Sequence, residues 1–141
     1  MTFFDKLVLG HLIGDFLLQN KWMAYRKGTN YFPCLVHCLL YTLSVCLLTS
    51  LSPYWILIVF LSHFPIDKYS LADKWLKLIN GRSLTDFFDN GSLDIPHHEN
   101  TPQFTHYLIL RGSFTGIVYT LVDNTFHIIL MLLGAYWLGL V

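Results

Sequence analysis

Apolar residues run through this chain in four long blocks separated by polar joints. The first covers roughly residues 2–24 and ends in KWMAYRKGTN, where Gly28 and Asn30 are turn formers. The second, YFPCLVHCLLYTLSVCLLTS, covers roughly 31–50. Pro53 follows Leu51-Ser52 and suits the first turn of a third helix, over about 54–79. The purely apolar part of that block, 54–66, is short for a bilayer, which needs about 20 residues. The helix is expected to continue through DKYSLADKWLKLIN and leave the membrane near Lys68. Trp75 and Leu78 beside Lys74 and Lys77 suit an interface. Gly81, Asn90, Gly91, Pro96 and Pro102 make residues 80–103 a polar loop. The last block spans about 113–140, with 104–110 either its first turns or a separate surface helix. The pattern predicts an all-α protein: one polytopic membrane domain over 1–141, a bundle of four transmembrane helices with one polar loop.

Composition agrees. Hydrophobic residues make up 54% of the 141 positions and charged ones only 13%, about half the charged share of a soluble domain. Disorder, a coiled coil and a basic nucleic-acid binder are excluded, and the net charge of zero leaves no global field to steer a charged partner. The start, MTFFDKLVLGHLIGD, lacks a basic leader and carries His11 and Asp15, so it reads as a mature first helix rather than a cleavable signal. Cys34, Cys38 and Cys46 fall within one apolar run and read as packing residues, not a disulfide framework.

Charge asymmetry sets an orientation. Lys21, Arg26, Lys27, Lys68, Lys74, Lys77, Arg82 and Arg111 flank one side of the expected spans, and Lys6 alone the other. Both termini are therefore expected outward, with loop 68–111 cytoplasmic.

The candidate chemistry lies in what interrupts the apolar runs. His11 and Asp15, His37 and Tyr41, His63 and Asp67, and Asp123 and His127 are each spaced i,i+4, so each pair shares one helix face. A buried aspartate at mid-membrane costs about 2.5–3.5 kcal/mol on insertion scales, so such residues face inward and find partners. Placed in one layer, His11, Asp15, His37, His63, Asp67, Asp123 and His127 are a ligand set for one or two divalent ions, Zn²⁺, Mn²⁺ or Fe²⁺. Asp15, Asp67 and Asp123 would share ligation with general-base work. Gln19, Tyr41 and Lys68 are candidates for holding substrate. His97, His98, Glu99 and His106 form either a surface metal group or cap, or simply a solvated loop. Gly10 and Gly14 form a small-xxx-small pair that lets the first helix pack closely.

HLIGDFLLQNKWMAYRK resembles the opening of the DUF3307 family of bacterial and phage membrane proteins: a His, an Asp-Phe four residues on, a Gln, then a basic end. His37, His63 with Asp67, and the Asp123–His127 pair also fit that pattern. The chain departs from it at Asn124, where members usually carry Gln. The resemblance covers all but the 80–105 loop and implies a four-helix membrane protein with fixed polar positions. It implies no activity. A weaker similarity is to small inner-membrane proteins labelled metal-dependent hydrolases.

The expected function is a metal-dependent hydrolase embedded in a bacterial inner membrane, acting on a lipid or lipid-linked ester or phosphoester. The alternatives are a transporter of metal ions or protons, which in four short spans requires a homo-oligomer, and a non-catalytic phage or bacterial accessory protein with a polar core.

Overall fold

A computed structural model describes residues 1–81, 83–84 and 102–141, with the backbone alone for 102–111. Its elements are helical throughout, with no strand among the described residues: α1 (Phe3–Leu12), a π-helical turn (Ile13–Leu17), α2 (Lys21–Arg26), α3 (Tyr31–Leu48), α4 (Pro53–Lys68), α5 (Leu71–Asn80) and α6 (Pro102–Trp137). His97, His98 and Glu99 lie outside the described residues, as does the side chain of His106.

Two compact units result: Met1–Ser70 with Thr125–Val141, and Leu71–Asn124. In the first, Thr2 and Asp5 start α1 with a capping box: the Asp5 amide donates to Thr2 Oγ1 (3.2 Å) and the Thr2 amide to Asp5 Oδ2 (2.7 Å). Asn20 and Asn30 cap α2 and α3 by accepting amides of Met23 (3.0 Å) and Phe32 (2.9 Å). Pro53 opens α4, where its missing N–H costs nothing.

The core of this unit gathers Leu7, Tyr41, Val45, Cys46, Trp55, Val59, Met131 and Ala135. Trp55 is fully buried; its indole N–H donates to Thr49 Oγ1 (2.8 Å) and its ring meets Phe3 edge-on at 5.7 Å. Glycines let α1 reach α3. A Cβ at Gly10 would lie 2.7 Å from Val45 Cα, and one at Gly14 would lie 2.7 Å from Tyr41 Cδ2. Ser44 Oγ sits in the same seam, 2.9 Å from the Gly10 carbonyl oxygen and 2.8 Å from that of Tyr41.

Polarity runs inside out along α3. Leu35, Leu39, Leu43 and Leu47 form an exposed stripe, 40–62% accessible, while His37, Tyr41, Thr42 and Ser44 are buried. Water-soluble helices do the reverse.

Helix lengths depart from the expected four spans. Two helices are long and apolar enough to cross a membrane, Tyr31–Leu48 and Gly112–Trp137. The block over 2–24 is divided by the π turn and by the non-helical stretch that ends in the Asn20 cap. The block over 54–79 breaks after Lys68, where Ser70 takes a left-handed φ of 48°, which ends an α-helix. α4 is therefore 16 residues long, about 24 Å of rise. The last block reaches further back than expected, to Pro102, and takes in 104–110.

In the second unit α5 buries Ala72, Asp73 and Leu76 and leaves Trp75, Leu78 and Ile79 exposed. The Asp73 carboxylate accepts the Ser83 hydroxyl (2.8 Å) and the Leu84 amide (2.6 Å), so its burial is compensated.

A candidate metal centre

Three segments of the first unit deliver polar side chains to one place. The π turn carries Asp15, α3 carries His37, and α4 carries His63 and Asp67. His37 Nε2 lies 3.0 Å from His63 Nε2 and 2.9 Å from Asp67 Oδ2, and His63 Nε2 lies 3.1 Å from Asp67 Oδ2. Asp15 Oδ1 stands 3.2 Å from His37 Nε2 and 3.8 Å from His63 Nε2. His37, His63 and Asp67 are buried, and the Asp15 side chain is 10% exposed.

More groups converge on His37 Nε2 than a single hydrogen bond employs. His37 Nε2 carries one proton or one lone pair, yet Gln19 Nε2 also lies 3.1 Å from it. Asp67 Oδ2 and Asp15 Oδ1 are buried and make no well-aligned hydrogen bond despite these close approaches. The separations also suit atoms that share an ion. Ligands about 2.0–2.2 Å from a metal stand about 2.8–3.6 Å apart in octahedral or tetrahedral arrangement. His37 Nε2, His63 Nε2 and Asp67 Oδ2 make a nearly equilateral triangle of this size, and Asp15 Oδ1 sits at its open side.

The surrounding groups fix these donors. π-Helical turns recur at functional sites because the wider turn re-aims a side chain; here Ile13–Leu17 holds Asp15 with one oxygen toward the triangle and Oδ2 3.3 Å from His11 Nδ1. His11 Nδ1 is in turn 2.8 Å from the Tyr41 hydroxyl, which donates to Met131 Sδ (3.4 Å). The His63 ring is clamped between Tyr41 (centroids 3.6 Å apart, planes 15°) and His127 (4.2 Å, 30°). Asp67 Oδ1 accepts from Lys27 Nζ (2.9 Å), and His127 Nε2 is 3.6 Å from the same oxygen. Pro65, inside α4 between His63 and Asp67, removes one N–H from the helical ladder there.

The remaining expected residues are placed as follows. Asp123 is buried on α6, one turn before His127, and belongs to the second unit. Gln19 and Tyr41 stand against the histidines. Lys68 is buried; its ammonium donates to the Gly28 carbonyl (3.2 Å) and lies 4.0 Å above the Tyr31 ring. Two participants were not foreseen. Lys27 reads from the sequence as one of several headgroup-level cations, but it reaches the Asp67 carboxylate. Cys38 reads as packing, but its Sγ and ligand atoms of His63 and Asp67 lie within 4.8 Å of one another. Its place next to His37 in the sequence was the available signal.

These elements and this centre define a class: an all-helical protein, two of whose helices suit a membrane, with His and Asp groups that can hold a metal ion. Within that class the chain belongs to the DUF3307 family, described as a protein of unknown function, whose model matches residues 3–140. Nothing among curated proteins or solved structures matches the chain.

Proposed function

We propose that this protein is a metal-dependent hydrolase embedded in the bacterial inner membrane, acting on a lipid or a lipid-linked ester or phosphoester. The observation that carries the reading is the ligand triangle of His37, His63 and Asp67 with Asp15 offset beside it. Two histidines and one carboxylate, with a further position left for water or substrate, are a recurring set in hydrolytic zinc sites, and the same donors suit manganese or iron. His37, His63 and Asp67 would hold a divalent ion, which would supply polarisation of a carbonyl or phosphoryl group and a more acidic water.

The chain's own residues supply the rest. Asp15 Oδ1 takes the proton of the attacking water as general base. His11, braced by Tyr41, holds the other Asp15 oxygen and fixes its aim. Lys27 balances part of the carboxylate charge through Asp67 Oδ1. Gln19, whose amide reaches the His37 ring, would hydrogen-bond the substrate's polar head. The exposed leucine stripe of α3 supports a lipid surrounding. In this reading α1 with its π turn, α3, α4 and α6 all cross the membrane, α1 and α4 as short spans, with both termini outward. A reporter fused after Val141 is then expected to be active only when it works outside the cytoplasm; cytoplasmic behaviour overturns the orientation.

One feature favours a second reading. Asp15 Oδ1 can close the triangle into a four-ligand shell, and closed shells hold ions without turning over substrate. That is the expectation for a metal carrier. Purified protein in proteoliposomes containing labelled membrane lipid separates the two. Metal-dependent release of a labelled product, lost in Asp15→Asn with metal retained, supports the hydrolase. Metal flux without lipid turnover supports the carrier and overturns the hydrolase.

A further inference from the structure

Cys38 is the one buried nucleophilic group at the centre that the hydrolytic scheme leaves unused. It is fully buried on α3, and its Sγ shares a 4.8 Å neighbourhood with ligand atoms of His63 and Asp67. A zinc-sized ion shared by sulfur at about 2.3 Å and by nitrogen and oxygen at about 2.0–2.2 Å draws such atoms to about 3.5 Å apart. The other two cysteines differ. Cys46 belongs to the apolar core, and Cys34, whose Sγ lies 3.9 Å from Cys38 Sγ, falls in no such group among the described residues. A second observation also points to a ligand here. Asp67 Oδ2, an atom of the ligand triangle, is buried without an aligned hydrogen-bond partner, so this member of the Cys38 group keeps a lone pair for an ion.

We infer that Cys38 is a ligand to the ion held by His63 and Asp67, which makes the centre selective for thiophilic divalent ions of the zinc, cobalt and cadmium type over magnesium and calcium. The inference rests on the metal reading above and narrows it to a chemical class of ion; with His37 and Cys38 both bound, water would enter by expanding the shell to five ligands. Soft thiolate selects such ions, whereas an all-oxygen and imidazole set also accepts harder ones. Binding requires the thiolate, so the thiol proton leaves as the ion enters. The i,i+1 placement of His37 and Cys38 is compatible, because α3 turns both side chains toward α4.

Cobalt(II) added to the metal-stripped full-length protein in detergent tests this. The expected result is the strong visible absorption of four-coordinate cobalt together with a near-ultraviolet thiolate-to-cobalt charge-transfer band. Cys38→Ser is expected to abolish the charge-transfer band while cobalt still binds, and to lower the preference for zinc over magnesium by at least about tenfold. Cys34→Ser is expected to keep the band. X-ray absorption of the zinc-loaded wild type, which needs no variant to fold, is expected to show one sulfur scatterer. Cobalt bound without the band, a band that survives Cys38→Ser, or a zinc shell without sulfur overturns the inference and leaves the metal centre standing. Failure of both cobalt and zinc to bind overturns the metal reading and this inference together.

Discussion

Asp67→Asn is expected to empty the metal centre. One Asp67 oxygen stands 2.9 Å and 3.1 Å from the two imidazole nitrogens of the triangle, and the other accepts the Lys27 ammonium. The amide keeps the shape but loses the charge. Outer-shell partners alone are worth about 10–100-fold in metal affinity, so loss of a direct ligand is expected to exceed about 100-fold. Elemental analysis of the purified variant is expected to fall to background. Stability is expected to fall as well. Breaking a buried ion pair by removing one partner costs about 3–5 kcal/mol, because the other charge stays behind uncompensated. The Lys27→Met, Asp67→Asn double variant separates these effects: thermal unfolding in detergent is expected to recover, and metal binding is not. Full metal content in Asp67→Asn overturns the ligand assignment.

Gly14→Val is expected to have the second-largest effect, without touching any ligand. The new Cβ would stand 2.7 Å from Tyr41 Cδ2, 2.9 Å from Ser44 Oγ and 3.0 Å from Tyr41 Cα. The last of these is backbone and cannot swing aside, so the π turn must separate from α3. Overpacking of this kind costs about 1–3 kcal/mol. Asp15 follows Gly14 directly, and ligand distances tolerate only about 0.2 Å. Metal affinity is therefore expected to drop at least about tenfold together with the melting temperature. Gly116→Val is the control, since nothing lies within 4 Å of a Cβ there; it is expected to leave both unchanged. Equal behaviour of the two variants overturns the close-packing argument.

Much of the centre was legible because burial of charge is so costly. His11, Asp15, His37, His63, Asp67 and His127 stand out from apolar runs, and i,i+4 spacing alone puts each pair on one face. Pairing at the atomic level was not legible, because separate helices impose it. Nothing in HLIGDFLLQ marks the π turn: no proline or glycine pair announces it, and the turn is stabilised by packing against α3. The Ser70 break was hidden for a similar reason, since serine takes a left-handed φ only where surrounding contacts require it. Cys38 is a free, buried residue as its apolar run implies; that it lies near His63 and Asp67, and that Lys27 pairs with Asp67, was not legible because contacts between separate segments impose both. The all-helical character followed directly from the long apolar blocks. The number of full-length spans did not, because hydropathy registers the apolar run through 2–24 without registering where the helix ends.

Lys27 and Asp15 also give the centre a sidedness. Their side chains are 16% and 10% exposed, against 0–1% for His37, His63 and Asp67. Both join the bundle near the α2 segment, while leucines cover the outer face of α3. With the helices in a bilayer as proposed, that end is the wetter approach to the ligand triangle among the described residues. Cations and polar heads would then be exchanged through the side on which Lys27 and Asp15 stand.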